Sequence, residues 1–206
     1  RVDLAEQRTP RLADHPRHVG ELEPLVTRRL STSKRLDGLV DLRPVEENRP
    51  RAVARLQAFP SAGALMTDLN ALSAAVYVAA EESTLRFLVA TMLEAIPAAS
   101  AQLSAGYIDG LVWSLEHVDD DRDPDERPQF RGFSGNVLAA AVRKLWQTCR
   151  FAPSIEETIR AACAARSRYF EALAVTNRLM RLRNNAVSVI AQLDYDPEAD
   201  PDAIPF

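Results

Sequence analysis

Side chains able to do chemistry are few in this sequence, and none is spaced to do it together. The histidines are His15, His18 and His117, and the cysteines are Cys149 and Cys163. A metal site needs imidazole, thiolate or carboxylate groups converging at ligand spacing, and these five residues offer no such set. Asp119, Asp121 and Asp123 alternate as in a calcium loop. That loop requires glycine at its sixth position and glutamate at its twelfth; here those positions are Pro124 and Phe130, so the run reads as a solvated acidic loop. No G-x-S-x-G, glycine-rich phosphate loop or H-E-x-x-H occurs. The sequence assigns no catalytic residue, no cofactor-binding residue and no metal ligand. The expectation is a non-enzymatic protein without cofactor or small-molecule substrate.

Charge is the stronger signal. The net charge of −4 hides blocks of opposite sign. Residues 81–126 hold 2 basic and 11 acidic side chains, whereas residues 127–183 hold 11 basic and 3 acidic ones. Ten of those 11 are arginine, whose planar fork suits phosphate and carboxylate. Arg143, Lys144, Arg150, Arg160, Arg168, Arg178, Arg181 and Arg183 are therefore the candidate contacts for nucleic acid or an acidic partner. The opposing reading is a solvated helix face, or attraction to the chain's own acidic loop.

The elements that position these residues are helical. Of 206 residues 47% are hydrophobic, glycines number seven, and alternating β-type runs are absent. The expected fold class is all-α: a small helical bundle with a long C-terminal amphipathic helix. Apolar three- and four-residue spacing predicts helices over 61–80, 83–95, 100–118, 133–150 and 154–192. Ser61 or Asp68 is placed to cap the first. Leu85, Leu88, Val89, Met92 and Leu93 face inward on the second; Ile108, Leu111, Val112, Leu115 and Val118 on the third; Leu138, Ala141, Val142, Leu145 and Cys149 on the fourth. Trp113 lies off the inner face and is expected to pack on the next helix.

Residues 1–58, with prolines at 10, 16, 24, 44 and 50, read as a basic, loosely held arm with room for short helices around Glu21–Leu30 and Arg51–Ala58. Residues 59–153 read as the bundle, 154–193 as a long helix packed on it, and 194–206 as an acidic tail. Along that last helix Ala161, Ala165, Arg168, Ala172, Val175, Leu179, Leu182, Ala186, Val189 and Leu193 step at heptad-like spacing. Such a helix is about 58 Å long, more than the bundle can cover. Val175, Leu179, Leu182, Ala186, Val189 and Leu193 are accordingly expected to bind a partner helix or a second copy, unless the helix folds back at Asn184-Asn185. No apolar run approaches the ~20 residues of a membrane span. No membrane contact and a cytoplasmic location are expected, with the cysteines buried and reduced.

The best-specified stretch is Val137–Cys163. Pro153 ends one helix, and Ser154 with Glu157 has capping-box spacing for the next. Phe151 is expected to pack between the fourth and last helices. Here Ala139-Ala140-Ala141-Val142 leads to Arg150-Phe151-Ala152-Pro153-Ser154-Ile155-Glu156-Glu157, with Tyr107-Ile108-Asp109-Gly110-Leu111 upstream. Over about 85–163 this resembles the small phage replication proteins of the helicase loader and inhibitor type. The resemblance implies a folded helical module and a C-terminal segment that engages a replicative helicase. The long arm and the long last helix depart from that pattern. Two functions are carried forward: a DNA-replication adaptor binding a replicative helicase or related protein, with DNA as a further partner, and a self-associating helical protein using the 161–193 seam.

Overall fold

The structure, a computed structural model, describes residues 22–96, 105–118 and 132–195. Among these it is all-α, with α1 Glu23–Leu36, α2 Arg49–Ala58, α3 Ala62–Tyr77, α4 Glu82–Ala95, α5 Ala105–Glu116, α6 Gly135–Thr148 and α7 Ile155–Leu193. No strand occurs among the described residues. The start of the arm, the acidic loop at 119–126 and the tail beyond Tyr195 lie outside them. No single helix among the described residues is long and apolar enough to cross a membrane.

Helices α3 to α7 fall where apolar spacing places them, within a few residues. Their ends follow from local chemistry. Ser61 Oγ accepts from the Ala64 amide at 3.2 Å and so caps α3. Asp68 does not cap it; its carboxylate takes Arg29 instead. Ser134 caps α6 by accepting from the Val137 amide at 3.3 Å, and the same hydroxyl donates to the Ala75 carbonyl. One buried serine thus satisfies an orphan amide at the start of one helix and a carbonyl near the end of another.

The chain forms two compact units. The first is built on Ala75–Ser167. Its core holds all five α4 residues expected inward, with Leu111, Val112 and Leu115 of α5, and Val137, Leu138, Ala141 and Leu145 of α6. Ile108, Val118, Val142 and Cys149, expected with them, are only partly buried. Phe133 completes the core, and its carbonyl accepts from the Ala80 amide at 2.8 Å. Gly132 precedes it with φ +69°, and a Cβ there would lie 3.0 Å from the Glu116 carbonyl oxygen. The chain passes the end of α5 too closely, in a left-handed conformation, for any other residue.

The second unit is built on Pro24–Ala74 together with the helix from Arg168. Here the expectation of a loosely held arm is corrected over residues 22–58. Val26 and Leu36 of α1 and Ala52 of α2 are fully buried. Leu36 packs in a cluster with Leu65, Val175, Leu179 and Leu182, and Ala52 in another with Ala186 and Val189. The prolines do not prevent this: Pro24 and Pro50 occupy first-turn positions, where no amide partner is lost. The division into a bundle at 59–153 and a last helix packed on it is corrected with it, because α1 and α2 share a core with α7.

Asparagine and arginine side chains tie these N-terminal residues to α7. Asn185 Oδ1 accepts from the Leu42 amide at 2.7 Å, and its Nδ2 donates to the Leu42 carbonyl at 3.0 Å. The side-chain amide pairs with the backbone as a neighbouring strand would. Helix α7 runs unbroken through Asn184 and Asn185 and does not fold back.

Arg29 is almost fully buried, and its guanidinium pairs with Asp68, which Arg28 also approaches at 3.5 Å. Removing one partner of a buried pair strands the other charge. Asp68→Ala is expected to cost about 3–5 kcal/mol by denaturant midpoint, and the apolar pair Arg29→Met/Asp68→Leu to recover most of it.

Candidate partner-binding surface

The seam expected to bind a partner is already occupied. Val175, Leu179, Leu182, Ala186 and Val189 are buried, and Leu193 packs on the Ala52 cluster. Burying each such side chain is worth about 1.5–3 kcal/mol, and α1, α2 and α3 supply that burial within the second unit. These residues therefore belong to the chain's own core and do not form the open seam that the spacing suggested. The seam also differs in detail: Arg168 is exposed, and Tyr169 next to it is fully buried.

The candidate basic residues separate into two groups. In the second unit Arg178 donates to the Leu36 carbonyl at 2.8 Å, capping α1, and lies 4.0 Å from Asp37. Arg183 reaches the Leu56 carbonyl at 3.5 Å, and Arg181 lies 3.8 Å from Asp41. Arg178 and Arg183 are partly buried and bound to backbone carbonyls, whereas Arg181 is exposed beside Asp41. Arg168 is exposed. In the first unit Arg143, Lys144, Arg150 and Arg160 are all exposed. Arg160 pairs with Glu156 at 2.5 Å one helical turn away. Arg143, Lys144 and Arg150 make no ion pair among the described residues. Two other arginines are tied to carboxylates: the Asp194 hydrogen bond raises the Arg49 guanidinium pKa, and that of Asp109 does the same for Arg86.

The turn between α6 and α7 has the expected cap. Glu157 Oε2 accepts from the Ser154 amide at 2.7 Å, and Ser154 Oγ accepts from the Glu157 amide at 3.1 Å. The Ser154 hydrogen bonds hold the Glu157 carboxyl below its ordinary value. Phe151, however, is 71% exposed, which corrects its expected burial. Pro153 is buried instead, and the Tyr107 hydroxyl donates to its carbonyl. A Cβ on Gly110 would sit an ordinary 3.8 Å from Ile155 Cδ1, so that glycine is not required by close packing. Burial raises the Tyr107 hydroxyl pKa, with Glu157 adding to it.

Four aromatic side chains of the first unit are exposed: Tyr77 at 47%, and, more so, Trp113 at 63%, Trp146 at 56% and Phe151 at 71%. Trp113 does not pack on the next helix. It stacks on His117, ring centroids 4.7 Å apart, while His117 Nδ1 lies 2.8 Å from the Trp113 carbonyl. The importance of Trp146 was missed in the sequence. Its signal was there: it follows Leu145, outside the stripe of Leu138, Ala141 and Leu145.

No cluster of histidine, cysteine or acidic side chains suited to a metal occurs among the described residues. Cys149 and Cys163 are unpaired and partly buried. No protein-family model matches the chain, and neither a curated protein nor a solved structure does.

Two outcomes follow from the turn. Ser154→Ala is expected to lower stability by about 0.5–2 kcal/mol in denaturant melts, whereas Phe151→Ala stays within about 0.5 kcal/mol. Because the folded pKa of Glu157 is depressed, its contribution is complete above the ordinary glutamate value of 4.5 and is lost as pH falls through the folded value. Glu157→Gln, which keeps a capping side chain, should flatten that acidic part of the stability profile.

Proposed function

We propose that this protein is a non-enzymatic adaptor of DNA replication whose first unit docks a replication protein, a replicative helicase or a relative of one. Trp113 carries this reading. Large rings fixed in place yet left in water are what interface anchors look like, because little side-chain entropy is lost when a partner covers them. Trp113 is held by its stack on His117. Helix α5 contains Asp109 and Glu116 and no basic residue, so a protein surface suits it better than a polyanion.

The replication setting rests on the resemblance over 85–163. Its two quoted segments meet in the first unit, through the Tyr107 hydroxyl on the Pro153 carbonyl. Self-association through the 161–193 seam is not carried further, since that stripe is buried by the chain's own helices. The test is size-exclusion chromatography of the purified chain with the replicative helicase of its source. Co-elution is expected, with about tenfold or greater loss of affinity for Trp113→Ala. Absence of a complex, or one indifferent to Trp113→Ala, overturns the reading.

A further inference from the structure

The end of α6 presents a second and chemically different surface. We propose that the surface carrying Arg143, Trp146, Arg150 and Phe151 binds single-stranded nucleic acid. This extends the adaptor reading in one respect only: it takes the exposed rings of the first unit as binding residues.

Arg143, Trp146, Arg150 and Phe151 lie close in sequence at the end of α6, whereas Lys144, two residues from Trp146, lies on another flank of the helix. Arg143 and Trp146 are three residues apart on α6 and so neighbours on its exposed side, opposite the buried Leu138, Ala141 and Leu145. The helix ends at Thr148, and Arg150 and Phe151 lie in the turn that follows directly. From Gly132 to Ile155 the chain has these three basic residues and no acidic one. The first acids beyond are engaged elsewhere, Glu157 on the Ser154 amide and Glu156 on Arg160.

The helix dipole accounts for only half of this. Cations near a helix C-terminus complement its dipole, which would explain Arg143, Lys144 and Arg150. The dipole gives no reason to leave an indole and a phenyl ring in water, each losing the burial that neighbouring apolar residues obtain. An acidic protein would suit the charges. The large exposed apolar residues of α6 and its turn are Trp146 and Phe151, and an acidic protein, whose hot spots also favour rings and arginine, is the competing occupant that the test below separates. Flat rings interleaved with cations match a strand of unpaired bases: the rings take base faces and the cations take phosphates. Duplex DNA, with its bases already stacked, gives the rings nothing to hold.

The test is fluorescence polarisation of the full chain with fluorescein-labelled dT and rU oligonucleotides of about 20 residues at low salt. Binding is expected, with a log–log salt slope of about −1.4 from two phosphate contacts at about −0.7 each. Binding of dT alone or rU alone identifies which strand is the ligand, and either supports the proposal. Trp146→Ala and Phe151→Ala should each weaken binding by about 5- to 150-fold. Both residues are exposed, so thermal melts should match the parent. Trp113→Ala should leave oligonucleotide affinity unchanged.

No binding at low salt overturns the proposal. So does equal affinity for a duplex with no effect of Trp146→Ala and Phe151→Ala, which would mean charge alone. Tighter binding of labelled poly-glutamate through the same two rings assigns the face to an acidic protein and also overturns it. If oligonucleotide binding fails while Trp113-dependent helicase binding holds, this inference falls and the adaptor reading stands; the reverse pattern has the opposite meaning.

Discussion

A helix of 39 residues with an apolar stripe along its length must have that stripe covered, and most of the second unit answers this requirement. Leu179 and Leu182 are fully buried because Leu36 and Leu65 meet them. Further along, Ala186 and Val189 are small enough for Ala52 to close on them. Once α1 and α2 lie against α7, the polar backbone between them must be satisfied. Asn185 and Arg178 do this from α7 itself, on Leu42 and on the end of α1. The arginines that give this region its positive charge are thus partly structural.

The first unit solves a different problem. Its α7 portion is lined by Thr158, Ala162 and Ala165, so it packs through small residues rather than a leucine ridge. Precision comes from hydrogen bonds at the turns. Ser134 serves two helices at once, Tyr107 fixes Pro153, and Gly132 lets the chain pass the end of α5. Phe133 is buried beneath the Arg166 guanidinium, which lies 4.8 Å above its ring. With its core closed by these means, the unit has no need of Trp113, Trp146 or Phe151 for stability.

That surplus leaves aromatic rings on two helices of one unit. Trp113 stands on α5, which has no basic residue and whose Asp109 is paired with Arg86, and Trp146 stands on α6 with Arg143 one turn before it. The two surfaces therefore differ in charge.

Helices α3 to α7, most of their inward residues and the Ser61 and Ser154 caps were legible locally, because these depend on neighbours three or four residues away. The five inward residues of α4 and the Ser154–Glu157 box were legible for that reason. What lies against each face was not. Periodicity marks the 175–193 stripe as apolar but cannot say whether a partner or the chain's own residues 24–58 cover it. The arm looked weak because α1 and α2 are rich in arginine and lack a sustained apolar period; their stability comes from the helix they rest on. Phe151 and Pro153 show the same limit at smaller scale. Both sit in one turn, and only the position of Tyr107, 46 residues away, decided which would be buried. Long-range contacts close loops of more than a hundred residues, and no local pattern records their outcome.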